Sequence, residues 1–106
     1  MKFLAMAAAC PTAEGVILEI GSFMGKSTVI LATAGQLASG TEVVAVDPLE
    51  FRPVADPKRG KESCLDSFRA NLRHAKVENL VEFHQMRSQQ LAPSWKRDHK
   101  IRLLWI

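Results

Sequence analysis

The chain has 106 residues, of which 47% are hydrophobic and 24% charged, the make-up of one globular domain at the short end for an α/β fold. This composition excludes a disordered tail, a collagen-like repeat and a disulfide-stapled miniprotein, and no apolar run approaches the roughly 20 residues of a membrane-spanning helix. The net charge of +3 is uneven: residues 1–50 carry two lysines against five acids, and residues 51–106 carry the other twelve Lys/Arg against six acids. These basic residues are scattered, with no run of five or six, so they read as solvated faces and not as a nucleic-acid surface.

The chain opens on an Ala/Leu/Met-rich stretch, Phe3 to Ala9, which predicts a short helix. With Met1, Lys2 and Cys10 it superficially resembles a lipoprotein signal, but one lysine and about seven apolar residues are at the short end for that role. Cys10 and Cys64 are the only cysteines and have no zinc-ligand spacing, so two reduced thiols and a cytoplasmic location are expected. Cys10 to Gly15 is a breaker segment.

Val16-Ile-Leu-Glu-Ile20 is an apolar run between glycines, the signature of a buried strand. A glycine turn, Gly21 to Gly25, leads into a helix over Lys26–Ala38, with Val29, Ile30, Ala34 and Leu37 at helical spacing and Ser39-Gly40 ending it. Glu42 to Asp47 is a second strand, and Pro48 to Gly60 a proline-containing loop. Glu62 to Ala75 is a helix with Leu65, Phe68 and Leu72 on one face, and Leu80 to His84 a third strand. Arg87 to Arg97 is irregular, with room for one helical turn, and Ile101 to Ile106 is a fourth strand. This alternation predicts an α/β layer fold with a parallel sheet and right-handed crossovers.

The fourth strand is apolar on both faces. Ile101, Leu103 and Trp105 are expected to point one way and Leu104 and Ile106 the other, with Arg102 its only charge. Such a strand belongs inside a sheet, and as a final element it leaves an edge uncovered. The expectation is that further chain follows Ile106, or that the open strand pairs with a partner or another copy.

Glu19-Ile-Gly21-Ser-Phe-Met-Gly25-Lys-Ser-Thr28 is the most informative stretch, because ligands of such sheets bind where strands turn into helices. Gly21 permits a sharp turn and close approach of backbone to ligand, and Gly25 opens a helix with free amides. Three ligand classes compete. A phosphate loop ending in Gly25-Lys26-Ser27 needs four residues between its glycine and the Gly-Lys pair, and here there are three. A dinucleotide site needs a glycine where Phe23 stands. A nucleoside ligand without a phosphate chain tolerates a bulkier turn and needs an acid for its ribose hydroxyls. Asp47, at the end of the second strand, supplies one beside the turn.

Taken together, this turn and Val-Val-Ala-Val-Asp47-Pro resemble the first two motifs of class I S-adenosylmethionine-dependent methyltransferases, in the branch similar to catechol O-methyltransferase. Phe68-x-x-Asn-Leu72 and Arg87-Ser88-Gln89 extend the resemblance, which runs from about residue 3 to 106. It implies a Rossmann-like sheet of order 3-2-1-4 with its switch point between strands one and four. It also implies S-adenosylmethionine as cofactor and methyl transfer to an oxygen of a small-molecule acceptor.

By the same resemblance, Glu19 orients the methionine ammonium end or the motif backbone, and Gly21, Ser22 and Gly25 line the turn. Phe23 packs where relatives often have Tyr, and Ser27 contacts the cofactor's carboxylate. Asp47 holds the ribose hydroxyls, and Ser88 and Gln89 lie near the adenine edge. The family's acidic residue after the fourth strand would fall at position 107. No catalytic residue or metal ligand is therefore assigned within 1–106, and a divalent metal is expected only in a longer form. The whole of 1–106 reads as the cofactor-binding front of one methyltransferase domain. His74, His84 and His99 have no paired spacing, and Trp95 and Trp105 read as packing residues.

Overall fold

A computed structural model describes residues 1–10, 13–50 and 63–106. The order is α1 (Lys2–Ala9), β1 (Val16–Ile20), α2 (Lys26–Ser39), β2 (Val43–Val46), α3 (Cys64–His74), β3 (Val81–His84), α4 (Ser88–Leu91) and β4 (Ile101–Trp105). Single 3-10 turns at Glu78–Leu80 and Ala92–Ser94 precede β3 and follow α4. The expected elements are all present, with ends shifted by a residue or two. Leu80 falls in a 3-10 turn instead of in β3, and the stretch after Arg87 holds two short helical turns. Glu62 and most of the proline-containing loop lie outside the described residues.

All four strands are parallel, in the order β3-β2-β1-β4. The pairing sets Glu19 opposite Ala45 and Ile20 opposite Val46. Because successive side chains in a strand alternate faces, Ile17, Val43 and Phe83 share one face, while Leu18, Ile20 and Val46 share the other. The first face carries the main core. Leu4 and Ala8 of α1, Leu31 and Ala34 of α2, and Phe68 and Leu72 of α3 close over it. Phe68 is fully buried and meets Phe83 with ring centroids 4.5 Å apart.

Helix α3 starts on a capping box, in which Ser63 Oγ accepts from the Asp66 amide and the Asp66 carboxylate accepts from Ser63. Those bonds hold the exposed Asp66 carboxyl below its usual pKa. The connector after β3 packs on the opposite face, where Leu91 is buried and, with Trp95, shares a cavity with Leu18, Ile20 and Val46.

Strand β4 departs from expectation. Val16 pairs with Ile101 but Ile17 pairs with Leu103, so Arg102 is an inserted residue that bends the strand. The bulge breaks the alternation. Ile101 lines the cavity with Leu18 and Ile20, while Leu103 packs against the main core. Ile101, Leu103 and Trp105 therefore do not share one face. Arg102 donates to the carbonyls of Ala8 and Cys10, placing its cation at the C-terminus of α1 and satisfying carbonyls that the helix leaves open. Nor is β4 buried on both faces: among the described strands it pairs only with β1, and Ile101, Leu104 and Trp105 are exposed.

The Phe68 ring ties α3 to the sheet and to the turn before α2. Phe68→Ala should destabilise the fold by about 3–5 kcal/mol, the usual range for emptying a buried phenylalanine site. The check is the urea midpoint, with an unchanged denaturant slope showing that only the native state was affected.

Candidate functional site

The turn between β1 and α2 carries three left-handed residues, Gly21 (φ 90°), Phe23 (φ 48°) and Gly25 (φ 85°). Gly25 is enforced twice: its backbone angle suits glycine, and a Cβ there would stand 3.0 Å from the Phe68 ring. At Gly21 the space is open: apart from its chain neighbours, no atom of the described residues lies within 4 Å of where a Cβ would sit. Among the described residues the backbone is therefore bare at the end of the sheet.

Phe23 is the unusual member, a large side chain in a conformation that L residues seldom adopt, and its ring is partly exposed. Its amide explains how it is held. Phe23 N–H donates to Asp47 Oδ2 at 2.7 Å, across 24 residues of sequence. The other oxygen, Oδ1, accepts from Leu49 N–H at 2.7 Å, a local Asx turn. Asp47 thus joins the ends of β1 and β2 at the glycine turn, as its position predicts. It also performs the turn role, and each oxygen retains a lone pair for a further donor. Asn71 of α3 braces the turn from outside, its Nδ2 donating to Met24 O at 2.8 Å.

Below the turn, Glu19 is fully buried. Its carboxylate accepts from Ser27 Oγ and Thr28 Oγ1, both in the first turn of α2. Loss of water pushes the Glu19 pKa above its ordinary 4.5. The Ser27, Thr28 and Ser22 hydroxyls oppose that rise, and the charge of Asp47 adds to it. Ser27, expected at the cofactor's carboxylate, donates its hydroxyl proton to Glu19. Thr28 closes the informative stretch but is not among the expected cofactor contacts; its signal is a second hydroxyl one residue beyond Ser27, at the open end of a helix. Ser22 is buried, and although its side chain favours the charged form of Glu19, its Oγ makes no hydrogen bond of ordinary geometry.

Ser88 and Gln89 open α4 and line a cavity of about 400 Å³ with Ile20, Val46, Leu91 and Trp95. They therefore share a cavity with the residues immediately preceding Gly21 and Asp47, while the other expected site residues are not among its described lining residues. Trp95 does pack, stacking on His99 with ring centroids 4.5 Å apart and donating from Nε1 to its carbonyl. It also lines the cavity. Among the described residues no three His, Cys, Asp or Glu side chains are grouped to hold a metal ion.

The chain belongs to the methyltransferase domain family, whose model matches residues 18–106. It is similar to the O-methyltransferase TomG from Streptomyces achromogenes, involved in tomaymycin synthesis and solved in complex with SAM. That match has a TM-score of 0.66 and 28% identity, and covers 93% of this chain and 38% of that one. It is also similar to cofactor-bound Rv0187 from MTB, with a TM-score of 0.62 and 29% identity over 89% of this chain and 36% of that one. The chain thus spans little more than a third of the length of either solved protein. No curated protein matches it.

The state of Glu19 has a measurable consequence. Between its ordinary 4.5 and its raised folded value the native state binds more protons than the unfolded chain, so stability falls as pH rises through that window. Glu19→Gln removes the ionisation while keeping an acceptor for one hydroxyl. Relative to the parent, the variant should gain in thermal midpoint as pH rises through the window, and the difference should narrow again as pH is lowered toward 4.5. A difference independent of pH would contradict the buried carboxylate.

Proposed function

We propose that residues 1–106 form the S-adenosylmethionine-binding part of a methyltransferase that methylates an oxygen of a small molecule in the cytoplasm. The observation that carries the reading is Asp47 clasped to Phe23 N–H, which sets an acid with unused lone pairs beside bare backbone at Gly21. The residues present fit that cofactor: Ser22 offers a buried hydroxyl without a proper partner, and Ser88 and Gln89 offer polar edges at an apolar cavity. In this reading Asp47 accepts from the ribose hydroxyls, and Gly21 and Ser22 approach the cofactor with backbone. Ser88 and Gln89 meet the adenine edge, Phe23 packs at the rim, and Glu19 holds α2 in place through Ser27 and Thr28. When bound, the cofactor supplies an electrophilic methyl group on a sulfonium. The chain's own contribution is orientation, which lowers the barrier of an in-line transfer by holding two bound reactants in reacting geometry. The solved relatives support the reading, TomG as an O-methyltransferase held with SAM and Rv0187 as a cofactor-bound protein.

The phosphate-binding reading of Gly25-Lys26-Ser27 is weakened by the hydrogen bonds of the turn. Gly21 N–H donates to Val46 O at 2.9 Å, Gly25 N–H to Ser22 O at 2.8 Å, and Phe23 N–H to Asp47. A phosphate cradle depends on such amides pointing at the ligand, and three of them are directed into the protein. The Asp47 carboxylate next to them would also repel phosphate.

Calorimetry against S-adenosylmethionine and ATP separates these readings. S-adenosylmethionine should bind, and Asp47→Ala should weaken it by more than tenfold, about 1.4 kcal/mol. Lys26→Ala should leave that affinity unchanged. ATP binding alone, abolished by Lys26→Ala, would reverse the conclusion.

A second reading, self-association, is favoured by the open edge of β4, where Leu104, Trp105 and Ile106 are exposed. Sedimentation decides it: a dimer that Leu104→Lys dissociates would support it, and a monomer at all concentrations would remove it.

A further inference from the structure

We infer that Glu50 and Arg87 form an electrostatic strap that holds the N-terminus of α4, and with it Ser88 and Gln89, at the mouth of the site. The inference rests on the cofactor reading above and adds to it a pair of positioning residues. Arg87 Nη2 donates to Glu50 Oε2 at 2.6 Å, across 37 residues of sequence. Each partner is joined to a different side of the site. Glu50 lies three residues after Asp47, and the bond from Leu49 N–H to Asp47 Oδ1 fixes the backbone between them. Arg87 immediately precedes Ser88. Its own N–H donates to Gln90 Oε1 at 2.9 Å, and its carbonyl accepts from the Gln90 and Leu91 amides at 2.9 and 3.3 Å.

What the strap holds has little stability of its own. Helix α4 is four residues long, far below the roughly 12–15 that give a marginally stable isolated helix. Of its residues only Leu91 is buried. Its place therefore depends on a few tertiary contacts, and the ion pair is one that reaches across the strand ends to the loop carrying Asp47. Both side chains are 61% exposed, so the pair adds little to global stability. Its effect is local: it limits how far the Ser88–Gln89 end can move from Asp47 before ligand arrives, and pre-ordering of this kind raises affinity by reducing what binding must order.

The test compares the parent chain with Glu50→Lys, which turns attraction into repulsion, and with Glu50→Lys/Arg87→Glu, which restores the pair with reversed charges. Two quantities are read: hydrogen exchange of the Gln90 and Leu91 amides without ligand, and S-adenosylmethionine affinity by calorimetry. In Glu50→Lys, exchange should accelerate and affinity should weaken by about two- to fivefold, the range of an exposed ion pair. The thermal midpoint should not change, and the reversed pair should recover both quantities. Unchanged exchange in Glu50→Lys, or a double variant no better than the single one, overturns the strap. Accelerated exchange in Glu50→Lys, together with a parent chain that binds no S-adenosylmethionine, overturns the cofactor reading and leaves the strap standing.

Discussion

The front of this sheet is arranged around one carboxylate that has left water. Glu19 lies at the end of the first strand, fully buried, and a buried charge is tolerated only where donors surround it. The donors come from Ser27 and Thr28, in the first turn of the following helix. That requirement sets the distance between β1 and the start of α2, and so the length and curvature of the turn between them. A turn this tight needs left-handed backbone at three places, two of which are glycine. The third, Phe23, is held by a hydrogen bond from its N–H to the Asp47 carboxylate, which ties β2 into the same arrangement. One desolvated group thus fixes a helix, a turn and a second strand relative to each other.

Much of this architecture is legible in the sequence because it depends on period and order. Short apolar runs alternating with helical spacing give the parallel sheet, and the position of Asp47 after β2 places it beside the turn with no further information. The bulge at Arg102 is not legible, because strand reading assumes an unbroken alternation, and one inserted residue sends Ile101 and Leu103 to opposite faces. The cause is tertiary: Arg102 is directed to the carbonyl end of α1, more than 90 residues earlier.

Asn71 and Arg87 stand in the motifs, but their partners are hidden in the sequence for a related reason. Asn71 reaches Met24 O over 47 residues, and Glu50 reaches Arg87 over 37. Exposed polar side chains carry no periodic signature, so such partners are seen only once the strands have been ordered in space. Ser27 is legible as part of the motif while its partner is not: its hydroxyl donates to Glu19, because a helix's first turn has two sides and sequence does not say which one a hydroxyl serves.

Charge also bears on which ligand the site prefers. Glu19, Asp47 and Glu50 stand around the strand ends, and burial, with a smaller contribution from the charge of Asp47, raises the Glu19 pKa. Of the nearby cations, Arg87 is paired with Glu50, and Lys26 is exposed on α2. A triphosphate entering here would meet carboxylates and find three turn amides already directed into the protein. A ligand that carries positive charge on a sulfonium and an ammonium, and that offers hydroxyl donors to Asp47, meets the same carboxylates as attraction. The turn resembles a phosphate loop in composition, but its hydrogen bonds and its charge suit a cationic nucleoside.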